Sequence, residues 1–439
     1  MSKTRILLAF LSIIILFQGF DAQAQEARKR WEMMNLIRRE KLAIILPKAM
    51  RENNIDMWII VNKSGHSDPL SEDVGAGRGS SLWSQGQFLS YTIFTDRGGE
   101  RIERATLSGR RLNERGALRK LVAERDPKHI GVNMSDKIGQ ADGLSHTCYL
   151  ALVKALGEKY AKRLVSAEKL VCEFRSQRVV SEIVAFANAG ELTIEIAERA
   201  LSNEVITPGV TTLADVAWWM KEQLVARGLS VGYNPPAVYM RAPIGKKIEG
   251  RQEISSNEHI IQRGEVIKMD WGVNMFNFSC DIKRIAYVLK EGETTLPLWL
   301  QNIFDEAVKV RKIIRKHIKP GRTAIETQEL IYRKLEEAGF AAISEDNITD
   351  TKKTDVTVGM HSVGNQAHCV GPSIWEEKPL RSKLQIKPTN LFAFEFFTYT
   401  PVPELGGKKW RIGFEDDVIV TENGVEYLYP VISRILLIR

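Results

Sequence analysis

The chain has 439 residues, of which 44% are hydrophobic and 26% charged, and its formal net charge is +8. This composition is ordinary for a soluble globular protein, and the length suits two domains with cores that need no disulfide staples. The basic residues are interleaved with acidic ones, and no basic run is laced with aromatic residues, so we expect no nucleic-acid partner.

The N-terminus has the pattern of a secretory signal peptide. Lys3 and Arg5 precede an apolar run from Ile6 to Phe17, and a small-x-small cleavage site ends at Ala24. We therefore expect residues 1–24 to be a signal peptide that is cleaved near Ala24, which gives an exported, periplasmic or secreted protein. A membrane anchor is the alternative, but the apolar run is too short to span a bilayer comfortably.

Residues 27–166 are predicted to form an N-terminal α/β domain, because apolar strand patterns alternate with helical ones. The predicted helices are 31–53, 112–125 and 144–156, and the predicted strands are 56–61, 91–95 and 129–132. A polar, glycine-rich stretch covers residues 64–80. We do not interpret Gly75–Gly79 as a phosphate loop, because it neither follows a strand directly nor opens a helix.

Residues 167–439 are predicted to form a second domain from two similar halves. Each half has a pair of helices and strand-rich stretches, around 181–290 and around 297–428, which we interpret as a weak internal repeat. The predicted helices are 181–202, 212–227, 297–317 and 324–338. The fold class is therefore α/β (α+β).

The four cysteines are far apart and irregularly spaced, and they form no Cys-x-x-Cys motif. This spacing is not typical of a disulfide framework or a zinc site. A Cys148–Cys172 or a Cys280–Cys369 bridge remains open.

Four carboxylates lie in apolar strand patterns of the second domain. They are Asp270, Asp281, Glu395 and Glu415. The two aspartates are 11 residues apart across a predicted hairpin, where they could face each other on neighbouring strands. A buried carboxylate is costly without a partner, and we count few basic residues beside these four. We therefore expect divalent metal ions to balance their charge.

His361 supplies an imidazole to the same predicted site. Four carboxylates and one histidine suit two divalent ions, for which oxygen-rich ligation favours manganese, with cobalt, zinc or iron as alternatives. Such paired ions generate a nucleophile from water at neutral pH.

The second domain resembles the pita-bread superfamily of methionine aminopeptidases, Xaa-Pro aminopeptidases, prolidases and creatinase. The residues that carry the resemblance are Met269–Gly272, Cys280–Arg284, His361 with His368, Phe394–Glu395 and Phe414–Gly424. The first domain resembles the creatinase-type N-terminal domain, which places the chain nearest to Xaa-Pro aminopeptidases and prolidases. The resemblance thus implies a creatinase-type domain followed by a pita-bread domain.

The resemblance also implies a role for each residue. Asp270 would chelate one ion, Asp281 and Glu415 would share the two ions, and His361 would cap one of them. Glu395 would bind metal and shuttle the proton of the attacking water. His368 would stay off the metal and stabilise the tetrahedral species.

The substrate side departs from the family pattern at four places. Residues 251–254 lack the histidine that family peptidases carry before the first aspartate, and His259 is too close to Asp270 to replace it. Cys369 stands where an acidic residue often follows the second histidine. Gly413 replaces the usual arginine, with Arg411 close by, and Phe396 replaces the usual proline.

These observations favour a dinuclear-metal-dependent aminopeptidase or dipeptidase of Xaa-Pro type that acts on small peptides. One alternative is a metal-dependent hydrolase of another small amide or ester on the same fold, which the missing histidine favours. Another is a non-catalytic pita-bread binding module. The resemblance further implies a homo-oligomer, namely a dimer.

Overall fold

The computed structural model describes residues 25–63, 65–75, 89–108, 116–231, 236–241, 253–255, 258–344, 347–365, 368–375 and 380–439. The predicted signal peptide, residues 64 and 76–80 of the glycine-rich stretch, the start of the helix predicted at 112–125 and residues 251–252 lie outside these ranges. Within the described part, no helix combines the length and the apolar character needed to cross a membrane.

Each predicted helix has a counterpart, but the helices at Ser71–Val74, Glu158–Ala161 and Glu168–Ser176 were not predicted. Residues 25–52 are helical and include a π-helical turn at Lys41–Ile45. The helices are α1 (Leu46–Glu52), α2 (Ser71–Val74), α3 (Ala117–Arg125), α4 (His146–Leu156), α5 (Glu158–Ala161), α6 (Glu168–Ser176), α7 (Val180–Ala200), α8 (Leu213–Ala226), α9 (Leu298–His317) and α10 (Ala324–Glu337). Capping boxes at Thr212 and Thr323 begin α8 and α10, since each threonine and an acidic residue three positions later satisfy one another's backbone N–H groups.

The N-terminal residues form one five-stranded mixed sheet. Its strands are β1 (Met57–Lys63), β2 (Leu89–Asp96), β3 (Ile102–Leu107), β4 (Ile130–Val132) and β5 (Leu164–Ser166), in the order β3-β2-β1-β4-β5. The sequence patterns did not predict the two edge strands, β3 and β5. Both are more exposed than the central strands, so they lack the continuous apolar pattern of a buried strand.

The remaining strands form four sheets that are built mainly from antiparallel pairs. The strands are β6 (Ser230–Val231), β7 (Ala237–Arg241), β8 (Glu253–Ser255), β9 (Val266–Trp271), β10 (Val273–Met275), β11 (Phe278–Ser279), β12 (Ile282–Val288), β13 (Ala341–Ala342), β14 (Asp355–Val358), β15 (Met360–Ser362), β16 (Ser373–Ile374), β17 (Leu391–Ala393), β18 (Phe396–Val402), β19 (Lys408–Phe414), β20 (Asp417–Thr421), β21 (Gly424–Tyr427) and β22 (Leu436–Ile438). The sheet orders are β11-β10-β6, β22-β12-β9-β7-β8, β13-β14-β18-β19 and β16-β15-β17-β20-β21.

Each helix pair covers sheet surface in its own half. Apolar residues of α7 and α8 share a buried cluster with β7, β9, β12 and β22. Those of α9 and α10 share another cluster with β14 and with β17 to β20. The two predicted halves therefore recur as helix-pair layers on strands, and the mixed α/β fold class is confirmed.

Buried contacts join the N-terminal residues to the second half of the chain. A third apolar cluster includes Trp58, Phe174 and Phe186 together with Leu391. All four cysteines are buried and unpaired, so neither of the two bridges left open by the sequence is present.

Candidate metal centre

Asp270 and Asp281 lie close together in the sheet that α7 and α8 cover. Asp270 belongs to β9, and Asp281 immediately precedes β12, which pairs with β9 in antiparallel register. Gly272 allows the backbone segments before and after the turn to lie close together, since a Cβ at this position would lie 1.6 Å from the carbonyl oxygen of Cys280. The strand partner of Asp270 is Lys283, so the expectation that the two aspartates face each other directly is wrong by two residues.

The other three predicted ligands lie in the second half of the domain. His361 belongs to β15, Glu395 lies between β17 and β18, and Glu415 lies between β19 and β20. The backbone N–H of Lys283 donates to the carbonyl oxygen of Glu415 at 3.0 Å, which links the two halves beside the site. All five predicted ligands therefore converge, although their roles as ligands stay predictions.

The imidazole of His361 faces three carboxylates. Its Nε2 atom lies 3.4 Å from Glu415 Oε1 and 3.9 Å from both Asp281 Oδ2 and Glu395 Oε2. Nε2 is buried and has no hydrogen-bond partner among the described residues. An orphaned buried nitrogen beside three carboxylates is the arrangement expected of a ligand for a divalent ion.

Several ligand triplets can be drawn from these residues. Candidate donor atoms lie within 4.8 Å of one another in the sets Asp270–Asp281–Glu415, His361–Glu395–Glu415 and Asp281–His361–His368. The residues therefore fit a divalent cation. Most of the candidate donor atoms are carboxylate oxygens, which ions such as manganese prefer. His368, which we expected to stay off the metal, lies near enough to belong to one of the sets.

A lysine ammonium also lies among the carboxylates. Lys283 Nζ is 3.1 Å from Asp270 Oδ2 and 2.5 Å from Glu395 Oε1, and it contacts Glu415 Oε2 as well. Burial opposes its charge, but the three carboxylates outweigh burial and raise the pKa of Lys283 well above its usual value. The sequence argument that few basic residues lie beside these carboxylates is therefore wrong.

The signal for Lys283 was present in the sequence. Residues two apart in a strand share a face, so Lys283 lies on the same side of its strand as Asp281, and Lys268 on the same side as Asp270. Lys268 Nζ lies 4.0 Å from Asp270 Oδ2. Burial lowers the pKa of Lys268 to about 8, although Asp270 partly opposes this shift.

Two of the carboxyl groups have raised pKa values. Burial, followed by the charges of Glu415 and Asp270, raises the pKa of Asp281 well above its usual range. Burial, followed by Glu415, also raises the pKa of Glu395. A raised pKa makes Glu395 a better proton acceptor than an ordinary carboxylate.

His368 lies next to His361 at the edge of the site. The two ring centroids are 4.2 Å apart, and part of His368 is exposed to solvent. Desolvation, followed by the nearby His361, lowers the pKa of His368 to about 4. Its imidazole is therefore neutral near pH 7 and can donate one hydrogen bond.

A cleft of about 470 Å³ opens onto these residues. Its wall includes Tyr239, Lys268, Trp375, Phe397 and Arg411. The guanidinium carbon of Arg411 lies 3.8 Å from the centre of the Phe397 ring, and Arg411 Nε is buried without a hydrogen-bond partner among the described residues. From the sequence, Arg411 stood out only as a neighbour of Gly413, and its place in the cleft wall was not predicted.

The structure shows what surrounds three of the residues named where the chain departs from the family pattern. A Cβ at Gly413 would lie 2.7 Å from the Phe397 ring and 3.5 Å from Lys283 Cδ, so these two side chains occupy the space beside the glycine. Cys369 is buried and contacts Arg178 at 3.8 Å. His259 pairs with Glu265 at 3.0 Å and is not part of the cleft wall.

Comparisons with known proteins agree with this arrangement. The family model described as "Metallopeptidase family M24" matches residues 185–422. A comparison with curated proteins finds no match.

Solved structures of similar fold include three peptidases. An X-Pro aminopeptidase from Thermotoga maritima MSB8 is 17% identical with a TM-score of 0.60, and the match covers 89% of this chain and 99% of that one. A Xaa-Pro dipeptidase from Bacillus anthracis is 17% identical with a TM-score of 0.61, over 91% and 99% of the two chains. A dipeptidase from Mycobacterium ulcerans is 18% identical with a TM-score of 0.57, over 92% and 98%.

These structural matches show the fold, and the family model covers more than half of the chain, including all five predicted ligands. The chain therefore belongs to metallopeptidase family M24, a family of metal-dependent hydrolytic enzymes.

Proposed function

We propose that this enzyme hydrolyses Xaa-Pro bonds in small peptides, and that dipeptides with a free carboxylate are its preferred substrates. The convergence of His361 with four carboxylates at the base of one cleft is the observation that carries the hydrolytic part of this proposal. The Xaa-Pro part is supported by the names of the structural neighbours, two of which act on X-Pro peptides.

A divalent ion at this site would polarise the scissile carbonyl and lower the pKa of a water molecule. The residues of the chain would carry out the proton transfers. Glu395, with its raised pKa, would accept the proton of the attacking water and pass it to the leaving nitrogen. Neutral His368 would donate a hydrogen bond to the developing oxyanion.

The positive charge of the cleft wall supports a substrate with a carboxylate. Arg411 is held against Phe397 and has an unsatisfied buried Nε among the described residues. Lys268 lines the same cleft, and its Nζ lies 5.1 Å from the centre of the Tyr239 ring. A guanidinium binds a carboxylate in bidentate geometry, so the C-terminal carboxylate of a dipeptide is a fitting partner for Arg411.

A second candidate is the hydrolysis of another small amide or ester. The altered substrate side favours it, because Gly413 leaves its space to Phe397 and Lys283, and because His259 pairs with Glu265 instead of lining the cleft.

A substrate screen distinguishes these candidates. Metal-stripped protein is supplied with manganese, cobalt or zinc and assayed on Xaa-Pro dipeptides, on the corresponding dipeptide amides and on longer peptides. We expect metal-dependent cleavage, fastest for the free dipeptides, with manganese the most effective ion. Glu395→Gln protein purified in parallel controls for contaminating peptidases. Cleavage of simple amides or esters without cleavage of any peptide would support the second candidate instead.

We also propose that the enzyme is exported and works as a homodimer. Export rests on the signal-peptide pattern of residues 1–24, and the dimer rests on the resemblance to creatinase-type proteins. N-terminal sequencing of the protein from its native cells and light scattering of the purified protein test these two points.

A further inference from the structure

The two oxygens of each shared carboxylate face different nitrogen atoms. Glu415 directs Oε1 to His361 Nε2 at 3.4 Å and Oε2 to Lys283 Nζ. Glu395 directs Oε2 to His361 Nε2 at 3.9 Å and Oε1 to Lys283 Nζ at 2.5 Å. The site thus has a histidine side and a lysine side, joined by Glu395 and Glu415.

The histidine side has the dimensions of a single metal site. With metal–ligand bonds of about 2.1 Å, neighbouring donor atoms lie roughly 3–4 Å apart. The oxygens of Asp281, Glu395 and Glu415 lie 3.4–3.9 Å from His361 Nε2. That nitrogen has no hydrogen-bond partner among the described residues, so an ion bound here would satisfy it.

The lysine side already holds a cation. Lys283 Nζ contacts the second oxygens of Glu395 and Glu415 and also Asp270. These are the oxygens that a second ion would need, since paired ions lie roughly 3.5–4 Å apart and share carboxylates. A metal ion and an ammonium group cannot occupy one position, and like charges at such a distance repel strongly in a buried site.

The side chain of Lys283 is held in this position. The side chain is only 3% exposed, and its Cδ lies in the space beside Gly413. The backbone of Lys283 pairs directly with that of Asp270 across the sheet. The Phe397 ring lies on the same side, with its centre 5.5 Å from Nζ. Swinging the ammonium away would deprive three buried carboxylates of a positive charge in direct contact.

The charges balance with one ion. Asp270, Asp281, Glu395 and Glu415 carry four negative charges, against which Lys283 and one divalent ion supply three positive ones. Lys268 Nζ, 4.0 Å from Asp270, lies close enough to offset the remainder. A second divalent ion would leave the buried site with excess positive charge, of which a hydroxide removes only one unit.

We propose that this enzyme holds one divalent ion, on the His361 side, and that the ammonium group of Lys283 takes the place of a second ion. The proposal rests on the proposed function only in that both require a metal at these residues. It replaces the expectation of two ions that the residue types alone suggested.

Metal stoichiometry tests the proposal without any assay of turnover. Metal-stripped protein is titrated with Mn²⁺ by calorimetry, and the metal retained after gel filtration is measured by elemental analysis. We expect one equivalent per chain and the six-line electron paramagnetic resonance signal of an isolated Mn²⁺. Two tight equivalents with a spin-coupled signal in the unaltered protein would overturn the proposal, and so would no binding at all.

Two variants distinguish the effect of Lys283 from that of the neighbouring Lys268. Lys283→Thr removes the ammonium and opens its space, so we expect a second equivalent of Mn²⁺ and a spin-coupled signal. Lys268→Met removes the neighbouring ammonium, which approaches Asp270 alone, and should leave the stoichiometry at one. A folded Lys283→Thr protein that still binds only one ion would count against the proposal, whereas if this variant does not fold, the unaltered protein still decides the question.

The outcomes separate this proposal from the proposed function. One bound ion without hydrolysis of any Xaa-Pro peptide would leave the single-ion site standing and reject the peptidase assignment. Two bound ions with hydrolysis of an Xaa-Pro peptide would reject the single-ion site and support the peptidase assignment.

Discussion

Lys283 Nζ lies 3.1 Å from Asp270 Oδ2, and the two residues are direct partners across the antiparallel strands β9 and β12. Since cross-strand partners share one face of a sheet, the lysine must point toward the site that its partner helps to form. The ammonium group is therefore a built-in part of the metal centre, and any account of the chemistry must include its charge.

Glu395→Gln should abolish turnover and preserve the fold. The amide is close in shape to the carboxylate and can still accept a hydrogen bond from Lys283, but it cannot take up the proton of the attacking water. We expect kcat to fall by about 10²–10⁴-fold. Steady-state kinetics measure the loss, circular dichroism checks the fold, and Glu404→Gln in the exposed turn at Pro403–Leu405 serves as a control. Activity near that of the unaltered enzyme would remove Glu395 from the mechanism.

His361→Ala should weaken metal binding more than any other histidine substitution. The imidazole Nε2 atom faces three of the carboxylates at 3.4–3.9 Å. Because even outer-shell partners contribute about 10–100-fold to metal affinity, the loss of a ligand should exceed tenfold. Calorimetric titration with Mn²⁺ measures the change, and His129→Ala, which alters an exposed histidine, should bind as tightly as the unaltered protein.

Arg411→Gln should impair only substrates with a free carboxylate. The variant keeps a polar side chain but loses the charge that we assign to binding the C-terminus of the substrate. A charge-assisted hydrogen bond contributes about 1.5–3 kcal/mol, so KM for an Xaa-Pro dipeptide should rise roughly 10–100-fold. The matching dipeptide amide serves as the internal control. Equal effects on both substrates would show that Arg411 does not read the carboxylate.

Glu182→Gln should destabilise the whole protein. Its buried carboxylate lies 2.5 Å from Arg178 Nη1 and 3.3 Å from Lys41 Nζ. Neutralising it removes the negative charge that faces two buried cations, which costs about 3–5 kcal/mol. Urea unfolding followed by tryptophan fluorescence measures the loss. The matched control is Glu204→Gln, which breaks an exposed pair with Arg199 and should change stability little. If both variants unfold at the same urea concentration, the buried cluster is not a stabilising one.

The residues that converge on the candidate site could be predicted because their signal is local. An acidic residue inside an apolar strand pattern is rare enough to stand out, and Asp270, Asp281, Glu395 and Glu415 each do so. The helices were also predictable, since their apolar spacing and capping residues lie within a few positions of one another. The edge strand at Ile102–Leu107 was not predicted, because it is exposed on one side and lacks a continuous apolar pattern.

The sequence by itself determined the type of fold and the identities of the five residues that converge on the site, because these depend on residue type and on local periodicity. It indicated the family through the resemblance of its motifs. Only the tertiary structure decided which of the carboxylate oxygens face His361 and which face Lys283. It also placed Arg411 on Phe397 and left space at Gly413 for the stem of Lys283. Those relationships join residues from strands far apart in the chain. The interaction between two charges depends on their distance in space, which the pattern of neighbouring residues in the sequence does not give.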